Sequence, residues 1–175
     1  HRDVYLVATP KVFVRDHRIT ADLTADATSG SMTVELTVDN RDSISAAKTF
    51  TVKLLDPDGA TVASGTTYYS GTDTQKLSVM LSSLAQLKPW TAETPNLYTV
   101  TVSQTEGGSE EMVFSTKYGF RKITKSGNLV YINGKRVFFK GVNTQDTHPE
   151  YGRAIDVATM LKDVTLMKQA NVNTV

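Results

Sequence analysis

The sequence contains no cysteine, which excludes disulfide bonds and thiolate metal sites but does not distinguish the cytoplasm from the periplasm. It also lacks a dominant charge, because 19 basic residues are balanced by 18 acidic ones. No basic field favours nucleic acid, and no run of like charge indicates a tail. No apolar stretch approaches the length that crosses a bilayer, and no segment resembles a signal peptide. We therefore expect a soluble protein with neither nucleic acid nor a membrane among its partners.

What is present is the composition of a globular protein, with 39% hydrophobic and 21% charged residues. A length of 175 residues suits one domain, or one domain and a fraction of another. The chain begins at His1 rather than at a methionine, and it stops at Val175 inside a segment that is predicted to be extended. We expect both ends to be points of excision from a longer protein.

The first two thirds of the chain consist of short segments in which apolar and polar residues alternate. Residues 32–38 alternate without a fault, which predicts a half-buried antiparallel strand, and residues 56–59 (Asp-Pro-Asp-Gly) predict a turn. Further strands are predicted at residues 3–8, 11–18, 50–54, 61–69, 77–81, 96–104 and 111–118, of which residues 61–69 have the weaker pattern. Seven to eight short strands at turn-marked intervals are typical of an immunoglobulin-like β-sandwich. We assign this antiparallel sandwich to residues 1–120.

The last third combines a hairpin with a strand, a loop and a helix. Asn133-Gly134 predicts a two-residue hairpin turn, since both residues accept a positive φ. The apolar run from Val137 is predicted to be a fully buried strand, and it breaks at Gly141 into a polar loop. Asp156 is predicted to cap the helix that follows. The helix itself is predicted from an apolar stripe with three- and four-residue spacing, made of Val157, Met160, Leu161, Val164 and Met167.

An extended segment at residues 171–175 follows the helix, so the pattern is that of a βαβ unit. We assign residues 121–175 to the N-terminal fragment of a (β/α)₈ (TIM) barrel, and the fold class is mainly β. A barrel needs eight such units, and one unit cannot bury its own apolar faces. We therefore expect the helix stripe to pack on the sandwich or on a second copy of the chain, which makes a homo-oligomer an expected partner.

Segments spread over the whole chain carry a resemblance to a known enzyme family. They are His1-Arg-Asp-Val-Tyr-Leu6, Trp90, Glu93-Thr-Pro-Asn-Leu-Tyr98, Gly119-Phe-Arg121, Asn133-Gly-Lys135, Lys140-Gly-Val-Asn143, His148-Pro149, Tyr151-Gly152, Met160, Asp163, Leu166-Met-Lys168 and Asn171-Val-Asn173. The sequence resembles glycoside hydrolase family two, and within it the β-galactosidases. The resemblance implies a large parent enzyme with a jelly-roll domain, a sandwich and a catalytic barrel. This chain would hold the sandwich and the barrel's first strand, first helix and the beginning of its second strand.

The resemblance also implies retaining hydrolysis of terminal β-galactosides or related β-glycosides. That chemistry uses two glutamates, one as acid/base and one as nucleophile, roughly 5–5.5 Å apart. In the family both glutamates lie on later barrel strands, beyond Val175. We therefore expect no catalytic residue in this chain and no activity from the chain alone, with the sandwich acting to position the barrel.

The carboxylates that are present are not assigned to catalysis. Glu110 and Glu111 are adjacent, so they are expected to point to opposite faces at a solvated strand end. Asp146 is expected to brace its loop rather than to pair with Glu150. We expect no cofactor and no metal site in this chain, since His17 has no second ligand at metal-binding spacing, although divalent or sodium ions are options for the parent enzyme.

Three loop residues are candidate substrate contacts: Asn143, Gln145 and His148. The loop begins at the C-terminal end of the first barrel strand, where the active sites of such barrels lie. In β-galactosidases of the family, a histidine two residues after the Gly-Val-Asn segment touches the substrate. That position is Gln145 here, which keeps hydrogen-bonding capacity but cannot become cationic. The alternatives are solvation for Gln145, capping of the strand end for Asn143 and, as the preferred interpretation, anchoring of the loop for His148.

Two rival hypotheses come from other classes of protein. A stand-alone carbohydrate-binding sandwich would use Trp90 or the Tyr68-Tyr69 pair to stack on sugar rings, although packing is the preferred role for Trp90. A protein-interaction domain would bind no sugar. Neither rival needs the strand–helix segment, so both rank lower. Arg121 is expected to pack between sandwich and barrel beside a carboxylate.

Overall fold

The computed structural model describes residues 4–175. These residues form two compact units, one of residues 8–135 and one that joins the N-terminal stretch up to Val7 with residues 136–175. The strands are β1 (Phe13–Leu23), β2 (Gly30–Asp39), β3 (Ala46–Leu55), β4 (Thr61–Gly71), β5 (Gln75–Leu84), β6 (Tyr98–Glu106), β7 (Ser109–Tyr118), β8 (Ile123–Ser126), β9 (Leu129–Ile132) and β10 (Lys135–Arg136). The helix α1 spans Val157–Gln169.

The larger unit is the predicted immunoglobulin-like sandwich. One sheet has the strand order β1-β2-β5 and the other has the order β4-β3-β6-β7, with antiparallel pairing throughout. Alternate residues of the central strands β2 and β3 fill the core, and seven of them are completely buried: Met32, Val34, Leu36, Val38, Phe50, Val52 and Leu54. Each fully buried side chain of this kind stabilises the fold by about 1.5–3 kcal/mol. This burial takes the place of the disulfide that antibody domains have.

Two turns that the sequence predicts are present in the structure. In the turn after β3, the N–H of Gly59 donates to the carbonyl of Asp56 at 3.0 Å, and Gly59 has a φ of 88°. In the hairpin between β9 and β10, Asn133 and Gly134 have φ values of 50° and 74°, as a turn of this type requires. The strand β8, which pairs with β9, was missing from the prediction because its four residues, Ile-Thr-Lys-Ser, are too few to establish a period.

The strand predicted at residues 3–8 is wrong for the residues that the structure describes, and Asp3 lies outside them. Residues 4–8 form no strand, and Val4 and Leu6 are 95% and 103% exposed. A strand is stabilised by pairing with a neighbour and by burial of one face. The apolar alternation here has neither, so it does not define an element.

The second unit contains the helix, and both of its predicted ends are present. Asp156 is the N-cap, and its carboxylate accepts a hydrogen bond from the N–H of Thr159 at 2.8 Å. At the other end the N–H of Val172 donates to the carbonyl of Met167 at 2.9 Å, and the N–H of Asn171 donates to that of Lys168 at 3.0 Å. These two bonds form a Schellman motif, with Asn171 in the left-handed region at a φ of 60°.

The apolar run from Val137 is not the fully buried strand that the sequence predicts. Phe138 and Phe139 are 65% and 58% exposed, and the parallel pairing is reduced to one bridge, between Gly141 and Thr174. One helix and one extended neighbour cannot cover both faces of such a strand, so the βαβ unit is incomplete. The apolar stripe of the helix is likewise not buried, and its pairing with a second copy stays a prediction. Within residues 4–175, no helix has both the length and the apolar character needed to span a bilayer.

Candidate functional site

The polar loop begins where the parallel bridge ends. The N–H of Val142 donates to the carbonyl of Thr174 at 3.1 Å, and the chain then leaves the paired segment. An open groove of about 360 Å³ lies beside this point, lined by Val142, Asn143, Thr144, Gln145, Thr147, Asp163, Leu166 and Met167. Two of the three candidate contacts, Asn143 and Gln145, therefore line one groove, whose other wall comes from the helix. His148 is not among the lining residues.

His148 closes a tight turn within the same loop. Its backbone pairs with that of Gly152, and its Nδ1 accepts hydrogen bonds from the N–H of Glu150 at 3.1 Å and of Tyr151 at 3.4 Å. The imidazole also stacks on the Tyr151 ring, with 4.6 Å between centroids. Because Nδ1 is an acceptor, the neutral ring carries its proton on Nε2. The observed bonds are those of a loop anchor, and a sugar contact by His148 stays a prediction.

Asp156 lies at the end of the loop, as the N-cap of the helix. Hydrogen bonds from Thr159 hold the pKa of the Asp156 carboxyl below its usual value. The carboxylate is therefore committed to capping the helix. It is ionised at neutral pH, so it cannot serve as a general acid there.

A cluster of three ionisable residues, Lys48, Glu106 and Glu111, lies at one end of the sandwich core. Lys48 Nζ lies 2.6 Å from Glu106 Oε2 and 2.8 Å from both carboxylate oxygens of Glu111. Gln104 Nε2 donates to Glu111 Oε2 at 2.8 Å and to the carbonyl of Val12 at 2.7 Å. Gln104 Oε1 is buried and accepts no hydrogen bond from the residues that the structure describes. Each charge in the cluster is satisfied by another, as expected for a structural network.

The pKa values of this cluster move in the directions that ion pairing requires. Burial by itself lowers the pKa of Lys48, but the hydrogen bonds and charges of the two glutamates outweigh burial and raise that pKa. Burial by itself raises the pKa of Glu111, but the hydrogen bonds from Lys48 and Gln104 outweigh it and lower that pKa. Lys48 and Glu111 are therefore both ionised at neutral pH.

Glu111 is not the solvated strand end that the sequence predicts. Gln104 pairs with Met112 and Thr105 pairs with Glu110, which leaves Glu111 as the extra residue of a β-bulge. A bulge changes the direction of a side chain, and here it turns the carboxylate toward Lys48. One signal of this network was present in the sequence. The alternation along β3 places Lys48 on the same inward face as Phe50 and Val52.

The aromatic candidates of the sandwich have different environments. Tyr69 is 1% exposed, and its hydroxyl donates to the carbonyl of Asp73 and accepts from Asn40, so it cannot stack on a sugar. Tyr68 is on the opposite face of the strand and is exposed. Trp90 lies in a small open groove of about 200 Å³ with Arg121.

Trp90 is fixed by packing and by its backbone. The Arg121 guanidinium lies over the ring at 5.0 Å, the backbone of Gly119 packs against the ring, and Asn133 Nδ2 donates to the Trp90 carbonyl at 2.9 Å. Within the described residues, the contact of Arg121 is this aromatic ring rather than the predicted carboxylate. A cation over an indole face is a stable substitute for an ion pair. The predicted packing role of Trp90 agrees with these contacts.

The chain begins with a β-sandwich and ends with a loop and a helix that lead to a parallel β-bridge. This order defines a sandwich domain followed by the first elements of an α/β barrel. The model of the family described as Glycosyl hydrolases family 2 matches residues 12–121. The model described as Glycosyl hydrolases family 2, TIM barrel domain, matches residues 122–175. The chain belongs to family 2 of the glycosyl hydrolases.

Curated relatives extend well beyond this chain. A β-galactosidase of Streptococcus thermophilus is 36% identical over 175 residues, which is 99% of this chain and 16% of that protein. A β-galactosidase of Halalkalibacterium halodurans is 33% identical, over 99% of this chain and 17% of that protein. The chain thus spans about a sixth of the length of these relatives.

Solved structures share the fold at lower sequence identity. A family 2 glycosyl hydrolase from Bacteroides cellulosilyticus has a TM-score of 0.86 and 18% identity, over 94% of this chain and 23% of that one. The β-glucuronidase of Parabacteroides merdae has a TM-score of 0.78 and 22% identity, over 94% of this chain and 20% of that one. At these identities the likeness shows the fold alone.

Proposed function

We propose that this chain is a non-catalytic portion of a retaining glycoside hydrolase that cleaves terminal β-galactosides or related β-glycosides. The observation that carries the proposal is the family 2 membership of both parts of the chain, matched in sandwich-then-barrel order. The β-galactosidases among its relatives support the galactoside as first substrate to test. The sandwich then serves to hold the barrel, and the bond-cleaving glutamates belong to barrel strands that are not in this sequence.

The polar loop is the part of this chain that we assign to the sugar. Asn143 and Gln145 line the groove at the end of the parallel bridge, and amide side chains can both donate to and accept from sugar hydroxyls. His148 holds the loop through Nδ1 and keeps its Nε2 proton for a sugar oxygen. We propose that Asn143 and Gln145 form one wall of the subsite and that His148 contacts the sugar from the adjacent turn, with no residue of this chain acting on the scissile bond.

Hydrolysis of nitrophenyl glycosides tests the proposal with two proteins. The 175-residue chain is expected to give no turnover above buffer, whereas the full-length parent is expected to release nitrophenol from the β-galactoside. A nitrophenyl β-glucuronide is the comparison substrate, and metal chelation of the parent shows whether ions assist it. Turnover by the 175-residue chain would show that its acid and nucleophile are present, and an inactive parent would remove the enzyme assignment.

A further inference from the structure

The side chain of Asn173 extends the backbone pairing between the two extended segments of the barrel fragment. Two ordinary backbone bonds join these segments, from Asn173 N–H to the Lys140 carbonyl at 3.0 Å and from Val142 N–H to the Thr174 carbonyl at 3.1 Å. The amide side chain adds two more. Asn173 Oδ1 accepts from the Lys140 N–H at 2.8 Å, and Asn173 Nδ2 donates to the Phe138 carbonyl at 2.8 Å.

This geometry makes the side-chain amide a substitute for a peptide group. A carboxamide presents one acceptor and N–H donors in a plane, as a peptide does. The backbone itself cannot supply the next peptide of the ladder, because Asn171 is in the left-handed region and its N–H closes the helix end on Lys168. Backbone pairing with the segment that contains Lys140 therefore begins only at Asn173. The side-chain amide of Asn173 makes the next two hydrogen bonds in place of a backbone peptide.

Neighbouring contacts orient the amide and the strand that it pairs with. The hydroxyl of Thr174 donates to Asn173 Oδ1 at 3.0 Å, and Lys140 Nζ donates to Asn171 Oδ1 at 2.6 Å. Lys140 is thus held through its backbone by Asn173 and through its side chain by Asn171. The polar loop starts directly after this clamped residue and Gly141.

We propose that Asn173 is a positioning residue. Its amide sets the register between residues 138–142 and residues 173–174, and so fixes where the loop with Asn143 and Gln145 begins. The register claim concerns this chain alone, and only its consequence for sugar binding rests on the proposed function. The side chain of Asn173 acts through the strand, and nothing in the proposal requires it to touch the substrate.

Nuclear magnetic resonance of the isotope-labelled chain tests the register claim directly. We expect scalar couplings across two hydrogen bonds, from Asn173 Nδ2 to the Phe138 carbonyl carbon and from the Lys140 amide nitrogen to Asn173 Cγ. We expect Asn173→Ala to speed hydrogen exchange at the Lys140 amide about tenfold, and Asn173→Asp, which keeps the acceptor but loses the donor, to have a smaller effect. Gln169→Ala, at an exposed position on the last turn of the same helix, is the matched control and should leave that exchange unchanged.

Two results would overturn the register claim. One is the absence of both couplings, and the other is an Asn173→Ala variant whose Lys140 and Val142 amides exchange as in the parent sequence. A variant that merely unfolds the helix would be recognised by faster hydrogen exchange at every amide of residues 157–169. In that case the Asn173→Asp variant decides the claim, because it should retain the coupling from the Lys140 amide nitrogen.

Kinetics of the full-length parent test the consequence for function. There we expect Asn173→Ala to lower kcat/KM for the nitrophenyl β-galactoside about tenfold, mainly through KM, with partial rescue by Asn173→Asp and no change for the control Gln169→Ala. An Asn173→Ala parent with unchanged KM would overturn the positioning role while leaving the register claim intact. A parent with no glycosidase activity would instead reject the proposed function, and the resonance experiment would still decide the register.

Discussion

Lys48 Nζ lies 2.8 Å from each carboxylate oxygen of Glu111, although the two residues are 63 positions apart in the chain. The ammonium side chain is 6% exposed and that of Glu111 is 24% exposed. Removing the cation would leave a half-buried carboxylate without its partner, which is costlier than losing a surface ion pair. The pair joins strand β3 to the bulge in β7.

We expect Lys48→Ala to lower the free energy of unfolding of the sandwich by about 2–3 kcal/mol. This value lies below the ~3–5 kcal/mol of a fully buried pair, because water reaches part of Glu111 and of Glu106. Urea denaturation followed by tryptophan fluorescence measures the change. Lys53→Ala, on the outward face of the same strand, is the control and should stay within about 0.5 kcal/mol. Equal effects of the two substitutions would contradict a structural role for the network.

The stability of the sandwich should depend on Glu111 at acidic pH. Its folded pKa is lowered from the usual value of 4.5, so its contribution is complete above that value and is lost as the pH falls through the folded pKa. Lys48 has a folded pKa raised above 10.5, so its contribution is complete below 10.5 and is lost only at higher pH. Between these limits the network should be independent of pH.

Glu111→Gln should therefore be less stable than the parent sequence at neutral pH and should lose less stability on acidification below about pH 4.5. Denaturation curves at a series of pH values for both proteins give the comparison. Glu110→Gln, the adjacent residue on the outward face, serves as the control. If both proteins show the same acid dependence, Glu111 is not the linked group.

Gly119 is required by the Trp90 ring rather than by its own backbone. A Cβ built on Gly119 would lie 2.8 Å from ring carbons of Trp90, which is closer than real contacts allow. Gly119→Ala should destabilise the sandwich by about 1–3 kcal/mol, the usual cost of overpacking. Gly141→Ala is a matched control, because its Cβ would meet Thr174 at an ordinary 3.5 Å.

A double-mutant cycle identifies the clash itself. In a Trp90→Ala background the Gly119→Ala change should cost less, since the ring that it strikes is gone. Additive effects of the two changes would show that Gly119 is needed for a different reason.

The exposed stripe of the helix should cause the chain to associate with itself. Val157, Leu161 and Val164 are exposed apolar residues on one face of the helix, and contiguous apolar surface of this kind tends to acquire a partner. Light scattering should show dimers or larger species that Leu161→Lys reduces, with Lys162→Ala as the control on the same helix. A monodisperse monomer at high concentration would rule out association through this stripe.

The parts of the fold that depend on local chemistry could be read from the sequence. The alternation of residues 32–38, the positive-φ pair Asn133-Gly134 and the capping carboxylate of Asp156 each act through neighbours in the chain. The two-sheet sandwich could also be predicted, from the number and spacing of its strands, but the burial of individual segments by distant partners could not. The apolar run from Val137 meets the pattern of a buried strand, but burial needs neighbours that one βαβ unit does not supply.

The same distinction separates the candidate sites. The polar loop could be located because its position at the end of a barrel strand follows from chain order. The ion network of Lys48 and Glu111 could not, because it needs both the pairing of β3 with β6 and a one-residue bulge in β7. The role of Asn173 was hidden in the same way, since its amide pairs with residues more than thirty positions earlier in the chain.

Gln145 is the loop residue whose substitution should affect the parent enzyme most clearly. It lines the groove beside the parallel bridge, and its amide can both donate to and accept from a sugar hydroxyl. Losing one such bond in a partly shielded site costs about 1 kcal/mol, so Gln145→Ala should lower kcat/KM for the nitrophenyl β-galactoside roughly fivefold to tenfold. Gln145→His should restore part of the activity, because an imidazole also offers a hydrogen-bond donor and an acceptor. Gln75→Ala removes the same side chain from the sandwich and is the control, so kinetics that respond equally to Gln75→Ala and Gln145→Ala would argue against a sugar contact.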